Sequence, residues 1–361
     1  MTNQLARLDR LRARFDALGI DALLIATPSN RRWISGFTGT AGTLLVSRSQ
    51  ALFATDARYY EQVAAQAAAF SLVPANGPMA EWAPALLAGL GGQRVGFEPG
   101  GLTYANFEEW KTVLAALPDA DRPAFVPAPG AIEALRAVKE PEEVDSLTQA
   151  VLLGDAAFTH AASLAHPGMT ERGLAWEVQR FAMEHGAADL SFPTIIATGP
   201  WGALPHAYPR DVPLEPDAGV VMDLGVIVDG YCSDLTRTIF LGETDARFRE
   251  IYDIVLTAQE MAEERIEAGM TGEQAHQIAA TVIAQAGYAD YFGHGLGHGV
   301  GLDIHEAPRL GPRSSDILVD GQVVTVEPGI YLPGWGGIRI EDQCVMENGR
   351  LRRLSTAAKL N

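Results

Sequence analysis

Residues 167–171 read PGMTE and residues 268–272 read AGMTG. The shared Gly-Met-Thr occupies 168–170 and 269–271, 101 positions apart. Each copy lies between two helical patterns. Glu142–Ala165 precedes the first, with Glu142, Glu143 and Asp145 in its opening turn, where the helix dipole favours negative charge. Glu171–His185 follows, with Thr170 placed as an N-cap. Ala246–Ala268 and Glu273–Ala286 flank the second copy in the same way. A helix, Gly-Met-Thr and a second helix, occurring twice, predict an internal duplication.

Each half then runs into a hairpin. Val220–Phe240 turns at Asp229–Gly230, a strong two-residue turn signal, and carries Asp223 and Asp234. If Val228 pairs with Tyr231, Gly225 lies opposite Asp234. Asp223 is then the diagonal neighbour of Asp234 on the same face, roughly 7–8 Å away. Gln322–Glu341, turning at Pro333–Gly337, carries Glu327 and Glu341 beside Arg339 and Asp342. A shift of 101 from His206 falls at 307, two residues from His305. The halves therefore predict a pseudo-two-fold site. One such acid alone reads as a solvated strand edge. Paired acids in apolar strands repel each other and are costly to bury, so either one is protonated or a cation sits between them.

The stretch FGHGLGHGVGLDIHE, 292–306, holds His294, His298 and His305 among five glycines. That many glycines oppose a helix. In an extended chain His294 and His298 share a face. The glycines are expected to let a substrate backbone lie alongside. A zincin helix is excluded, because the Glu of His-Glu-x-x-His is missing. A glycine-rich loop with surface histidines is the bland reading of this stretch by itself. With His298, the four acids supply enough ligands for two divalent ions. Oxygen donors, one imidazole and no thiolate favour Mn²⁺ or Co²⁺, with Zn²⁺ also compatible. Paired ions of this kind serve hydrolysis by activating water and polarising a carbonyl. His206, His294 and His305 are then candidates to act on the substrate. His160, His166, His185 and His276 read as surface or packing residues.

The chain of 361 residues is 47% hydrophobic and 20% charged, with 27 basic and 45 acidic residues and a formal charge of −18. Such a surface disfavours nucleic acid and anionic membranes as partners. Two cysteines, Cys232 and Cys344, exclude a disulfide framework and fit a reducing cytoplasm. The N-terminus lacks the apolar run of a secretory signal, and no run reaches the roughly 18 residues of a membrane span. The first third alternates short apolar strands (22–26, 43–47, 51–54 and 94–97) with helices, as in an α/β domain. TPSNRRW, 27–33, reads as turn. A domain boundary is expected at 134/135.

The set VMDLG, SDLTRT, HGLGHGVGLDIHE, VTVEPGIY and GGIRIED resembles the metal-dependent pita-bread peptidases, in the branch of creatinase, aminopeptidase P and prolidase. SGFTGTAGTLLV and FATDARYYEQ resemble that branch's N-terminal domain. The resemblance spans nearly the whole chain and is nearest to a small bacterial or archaeal Xaa-Pro dipeptidase. It implies an α+β fold, with a creatinase-like domain over 1–134 and a pseudo-two-fold pita-bread catalytic domain over 135–361. It implies Asp223, Asp234, His298, Glu327 and Glu341 as ligands of two divalent ions, Asp234 and Glu341 bridging. His206, His294 and His305 are implied as substrate-contacting residues, Glu327 as a proton shuttle and Arg339 as the orienter of a bridging carboxylate. The implied reaction is hydrolysis of the Xaa-Pro bond in short proline-containing peptides by a cytoplasmic homodimer. Phe192, Trp201, Tyr231 and Tyr331 are candidate walls of a proline pocket. Arg31, Arg32, Arg58 and Arg210 are candidates to hold a dipeptide's free carboxylate. Aminopeptidase P activity on longer peptides is the alternative. A non-catalytic binding module on the same fold is a remoter one, and intact ligand positions argue against both it and creatinase.

Overall fold

In the computed structural model, which describes residues 2–360, the chain divides between Arg136 and Ala137 into two compact units. The N-terminal unit is built on a six-stranded sheet ordered Ser71–Pro74, Ala51–Thr55, Thr43–Ser47, Ala22–Ile25, Arg94–Phe97 and Ala124–Pro127. Ala22–Ile25 is central and buried at all four positions, which explains its continuous apolar run. The two edge strands are the ones hidden from sequence reading. Pro74 and Pro127 end them, and proline is tolerated at an edge because one side of the strand needs no donor. TPSNRRW is not a turn: Pro28–Ser35 is a helix. Pro28 sits in its first turn, where the missing N–H costs nothing, and Gly36 closes it at φ 74°.

The second unit is where the duplication acts. Pro141–Leu164 and Glu171–Glu184 pair in the first half, Ala246–Arg265 and Gly272–Gln285 in the second. Both Gly-Met-Thr copies make the same local structure. Gly168 and Gly269 have φ of 97° and 91°, a left-handed conformation that favours glycine. Thr170 accepts from the Gly173 N–H at 3.0 Å, and Thr271 from the Gln274 N–H at 3.1 Å. Leu214 N–H donates to the Met169 carbonyl and Leu318 N–H to the Met270 carbonyl, so each copy clasps its own half in the same way.

The first hairpin has the register expected from its turn. Val228 faces Tyr231, Leu224 faces Leu235 and Asp223 faces Thr236. Regular pairing lapses at Gly225, where a Cβ would stand 2.0 Å from the Ser233 carbonyl oxygen. The second hairpin also lapses once. Val326 faces Asp342, and Gly329 faces Arg339. Between those pairs the unbroken register sets Glu327 opposite Glu341. Each lapse therefore coincides with acids. There the backbones find other partners: Glu327 N–H donates to Leu296, and Glu341 N–H donates 3.0 Å to Thr236 of the first hairpin. The two hairpins are thus stitched side by side under the four helices. A core of Val255, Ala258, Ile283, Val324, Ile338 and neighbours backs the second one.

Two of the glycines of 292–306 meet a close approach from the chain itself. A Cβ at Gly297 would lie 2.1 Å from the Thr325 carbonyl oxygen, and one at Gly299 2.2 Å from that of Ala307. At these two positions the missing Cβ admits the chain's own neighbouring strands. Within this stretch Gly297–Gly299 is strand, and Glu306 opens the next one.

Candidate metal centre

Carboxylates from both hairpins converge on one point. Ligand oxygens of Asp223, Asp234 and Glu341 lie within 4.8 Å of one another. His298 Nε2 lies 3.6 Å from Asp234 Oδ2 and 3.5 Å from Glu327 Oε1. His298 Nδ1 is 3.0 Å from the Gly299 carbonyl, which can only accept, so Nδ1 carries the proton. Nε2 then presents a lone pair to two carboxyl groups. That contact is repulsive unless a proton or a cation intervenes. Burial makes the proton costly, holding the His298 pKa down to about 4.

The acids carry the same signature. Burial first, then mutual repulsion, raises Asp234 and Glu341 above the carboxylate range. Burial pushes Glu327 up to about 8, against the opposing charge of Arg339. Asp223 Oδ1 and Glu341 Oε1 are buried with no hydrogen-bond partner. Orphaned oxygens, mutually repelling carboxyls and an inward imidazole lone pair fit a divalent-cation site.

These shifts have a sign. Groups whose folded pKa lies above the unfolded value stabilise the fold when protonated. For Glu327 that contribution is lost as pH rises from about 4.5 to about 8. Chelator-treated protein is therefore expected to melt at lower temperature at pH 8 than at pH 6. Metal affinity should move the other way, by about tenfold per pH unit for each proton displaced. Calorimetric titration at several pH values measures this; an affinity flat between pH 6 and 8 would contradict it.

A hydrogen-bonded shell holds the acids. Arg339, 3% exposed, donates from Nη2 to Asp223 Oδ2 at 2.6 Å and from Nε to Thr236 Oγ1 at 3.0 Å. Thr236 Oγ1 donates to Glu341 Oε2 at 2.6 Å. Arg339 thus touches Asp223 directly and reaches Glu341 only through Thr236. Its Nη1 donates 2.7 Å to Tyr331 Oη, which donates in turn to His294 Nε2 at 2.9 Å. His294 Nδ1 is bound to the Gly295 carbonyl at 2.7 Å, so both of its nitrogens are engaged. Burial and then the Arg339 charge hold His294 down to about 4, so it is neutral at physiological pH. Among the described residues no hydrogen bond engages His206 or His305, and the His305 ring meets His298 edge-on at 4.3 Å.

The four acids, Arg339, Tyr331 and the four histidines face a cavity of about 670 Å³ whose walls also include Phe192, Ile195, Tyr208, Ile304 and Arg309. Trp201 and Tyr231 do not line it. Trp201 packs on Arg210 and Tyr208, and the Tyr231 hydroxyl donates to Glu143 at 2.8 Å. Arg31, Arg32 and Arg58 belong to the N-terminal unit, where Arg31 donates to the Gly39 and Gly42 carbonyls and Arg58 binds Asp56. Arg210 is forked onto the buried Glu171. Sequence reading missed Arg309, Thr236, Arg237 and Gln343. Arg309 lies directly across the sheet from His298, on the same face, and its guanidinium has no ion pair or hydrogen bond among the described residues. The available signal was strand alternation, hidden because the turn at 301–305 is irregular.

Residues 145–348 match metallopeptidase family M24, and residues 7–138 match the creatinase/prolidase N-terminal domain. The chain is 40% identical to a solved Xaa-Pro dipeptidase from Bacillus anthracis, with TM-score 0.95 over 99% of each chain. It is 35% identical to the Xaa-Pro dipeptidase of Pyrococcus furiosus, over 98% of this chain and 99% of that one. A solved X-Pro aminopeptidase from Thermotoga maritima is also similar, at 31% identity and TM-score 0.87, covering 96% of this chain and 99% of that one.

Proposed function

The chain belongs to metallopeptidase family M24, with the creatinase-type N-terminal domain and α+β pita-bread architecture of that family, and on that premise we propose that this peptidase cuts the bond before proline in dipeptides. The observation that carries the dipeptide reading is Arg309. A cation without an internal partner stands at the wall of the cavity, across the strand pair from His298. A dipeptide offers a free carboxylate close to its scissile bond, and a guanidinium fork suits it. Asp223, Asp234, His298, Glu327 and Glu341 would hold two divalent ions, Mn²⁺ or Co²⁺ by donor type. When bound, such ions polarise the carbonyl and lower the pKa of water.

The remaining steps belong to side chains. Arg339 and Thr236 keep Asp223 and Glu341 aimed inward. His206 and His305, with no nitrogen engaged internally, donate to the substrate carbonyl. His294 instead sets the Tyr331 hydroxyl in place. Glu327, whose buried carboxyl takes a proton readily, delivers one to the leaving proline nitrogen. Phe192, Ile195 and Ile304 offer apolar wall to the pyrrolidine ring.

Rates on Ala-Pro, Ala-Pro-Ala and Ala-Pro amide, with Mn²⁺, Co²⁺ and Zn²⁺ in turn, test this reading. Preference for Ala-Pro is expected. Preference for Ala-Pro-Ala would select the aminopeptidase alternative, which the similarity to the Thermotoga enzyme supports. No turnover of any of the three would overturn the catalytic reading. We also propose that the enzyme works as a cytoplasmic homodimer. Among the described residues no helix is long and apolar enough to cross a membrane.

A further inference from the structure

Behind the acids lies a second polar cluster, outside the walls of that cavity. Asp342, next to Glu341, is fully buried and is gripped from two sides. Arg237, 2% exposed, donates from Nη2 to Asp342 Oδ1 at 2.6 Å. The other oxygen, Oδ2, accepts from Lys359 Nζ at 2.8 Å and from Gln259 Nε2 at 2.9 Å. Lys359 also donates to Gln259 Oε1 at 2.7 Å. The second arm of Arg237, Nη1, donates to the backbone carbonyl of Glu341 itself.

The segment carrying Lys359 is bound at nearly every residue. Gln343 N–H donates to Ser355 Oγ at 2.9 Å, and the Thr356 hydroxyl donates to Asp155 at 2.9 Å. The Ala357 carbonyl accepts from Arg237, and Leu360 N–H donates to the Tyr252 hydroxyl at 2.8 Å. Gln343 completes the link to the other hairpin, because its Oε1 accepts from the Asp234 N–H at 3.0 Å. The three consecutive residues 341–343 thus connect both acids read as bridging ligands to one docked segment.

We propose that Lys359 is a positioning residue for the metal centre, acting through Asp342 and Arg237 on the backbone of Glu341. The inference rests on the metal-ligand reading above. Arg237 fixes one oxygen of this buried carboxylate; Lys359 and Gln259 fix the other, with the Arg353 guanidinium farther from it at 3.7 Å. Removing the lysine frees Oδ2 from its ammonium, and Arg237 then aims its other arm less tightly at Glu341. Partners of this outer kind typically cost 10–100-fold in metal affinity when removed.

Lys359→Met and Lys359→Arg are compared with wild type by calorimetric Mn²⁺ titration and by thermal melting with and without metal. Wild-type binding is measured first; if it binds no Mn²⁺, the ligand reading fails and the present inference falls with it. If wild type binds, Lys359→Met is expected to bind about tenfold more weakly, at the lower end of that range because Arg237, Gln259 and the more distant Arg353 still hold Asp342. Its metal-induced rise in Tm should shrink, and Lys359→Arg should restore both. Equal affinities in Lys359→Met and wild type, with only a uniformly lower Tm, would make the segment merely structural and overturn the proposal. Should Lys359→Met fail to fold, Lys359→Gln keeps a donor without the charge and is judged by the same affinity criterion.

Discussion

Replacing Glu341 with Gln is expected to remove bound metal and activity together, each by more than about 100-fold, the upper end of what outer partners cost. The substitution keeps the volume and leaves an oxygen to accept from Thr236. It removes the charge, which is the property a cation needs. Glu341 is 2% exposed, and one of its oxygens has no partner inside the protein. Burial and the neighbouring carboxyls already oppose its ionisation, so neutralising it relieves repulsion in the metal-free protein. The variant should therefore fold at least as stably as wild type without metal and gain far less Tm when metal is added. Metal analysis after dialysis and kcat on Ala-Pro check both halves. A variant that keeps its full metal content and turns over within tenfold of wild type would remove Glu341 from the centre.

Replacing Arg309 with Met should separate dipeptides from amides. A hydrogen bond to a charged group contributes about 1.5–3 kcal/mol, so kcat/KM on Ala-Pro should fall by roughly 10–150-fold. Ala-Pro amide lacks the carboxylate and should lose little. Arg309→Lys should recover only part of the loss, because an ammonium cannot make the two-pronged contact. Stability should hardly change, since Arg309 is exposed and its guanidinium binds nothing within the protein. Equal losses on the dipeptide and the amide would assign Arg309 to the chemistry or the fold instead of to the carboxylate.

Much of the architecture is legible because its determinants are local. Gly168 and Gly269 need a left-handed conformation, and Thr170 and Thr271 cap the next helix from within three residues. A two-residue turn at Asp229–Gly230 sets the register that puts Asp223 and Asp234 on one face. Charge type did the rest: four acids in apolar strands demand a cation wherever the strands end up. The helix over Pro28–Ser35 escaped because its turn-forming residues serve equally as a start and a stop.

The sequence by itself therefore determined the duplicated halves, the acid-bearing hairpins and the class of ligand they want, since caps, turns and strand alternation act over a few residues. Only the tertiary structure decided what lies across a strand or behind it. Arg309 faces His298 across an irregular connection with a shifted register, Tyr331 engages His294 and Lys359 reaches Asp342, contacts that no local pattern fixes. The glycines of 292–306 show the same division. Their number announced a close approach, but the approaching atoms, the Thr325 and Ala307 carbonyls, belong to neighbouring strands whose registers no local rule sets.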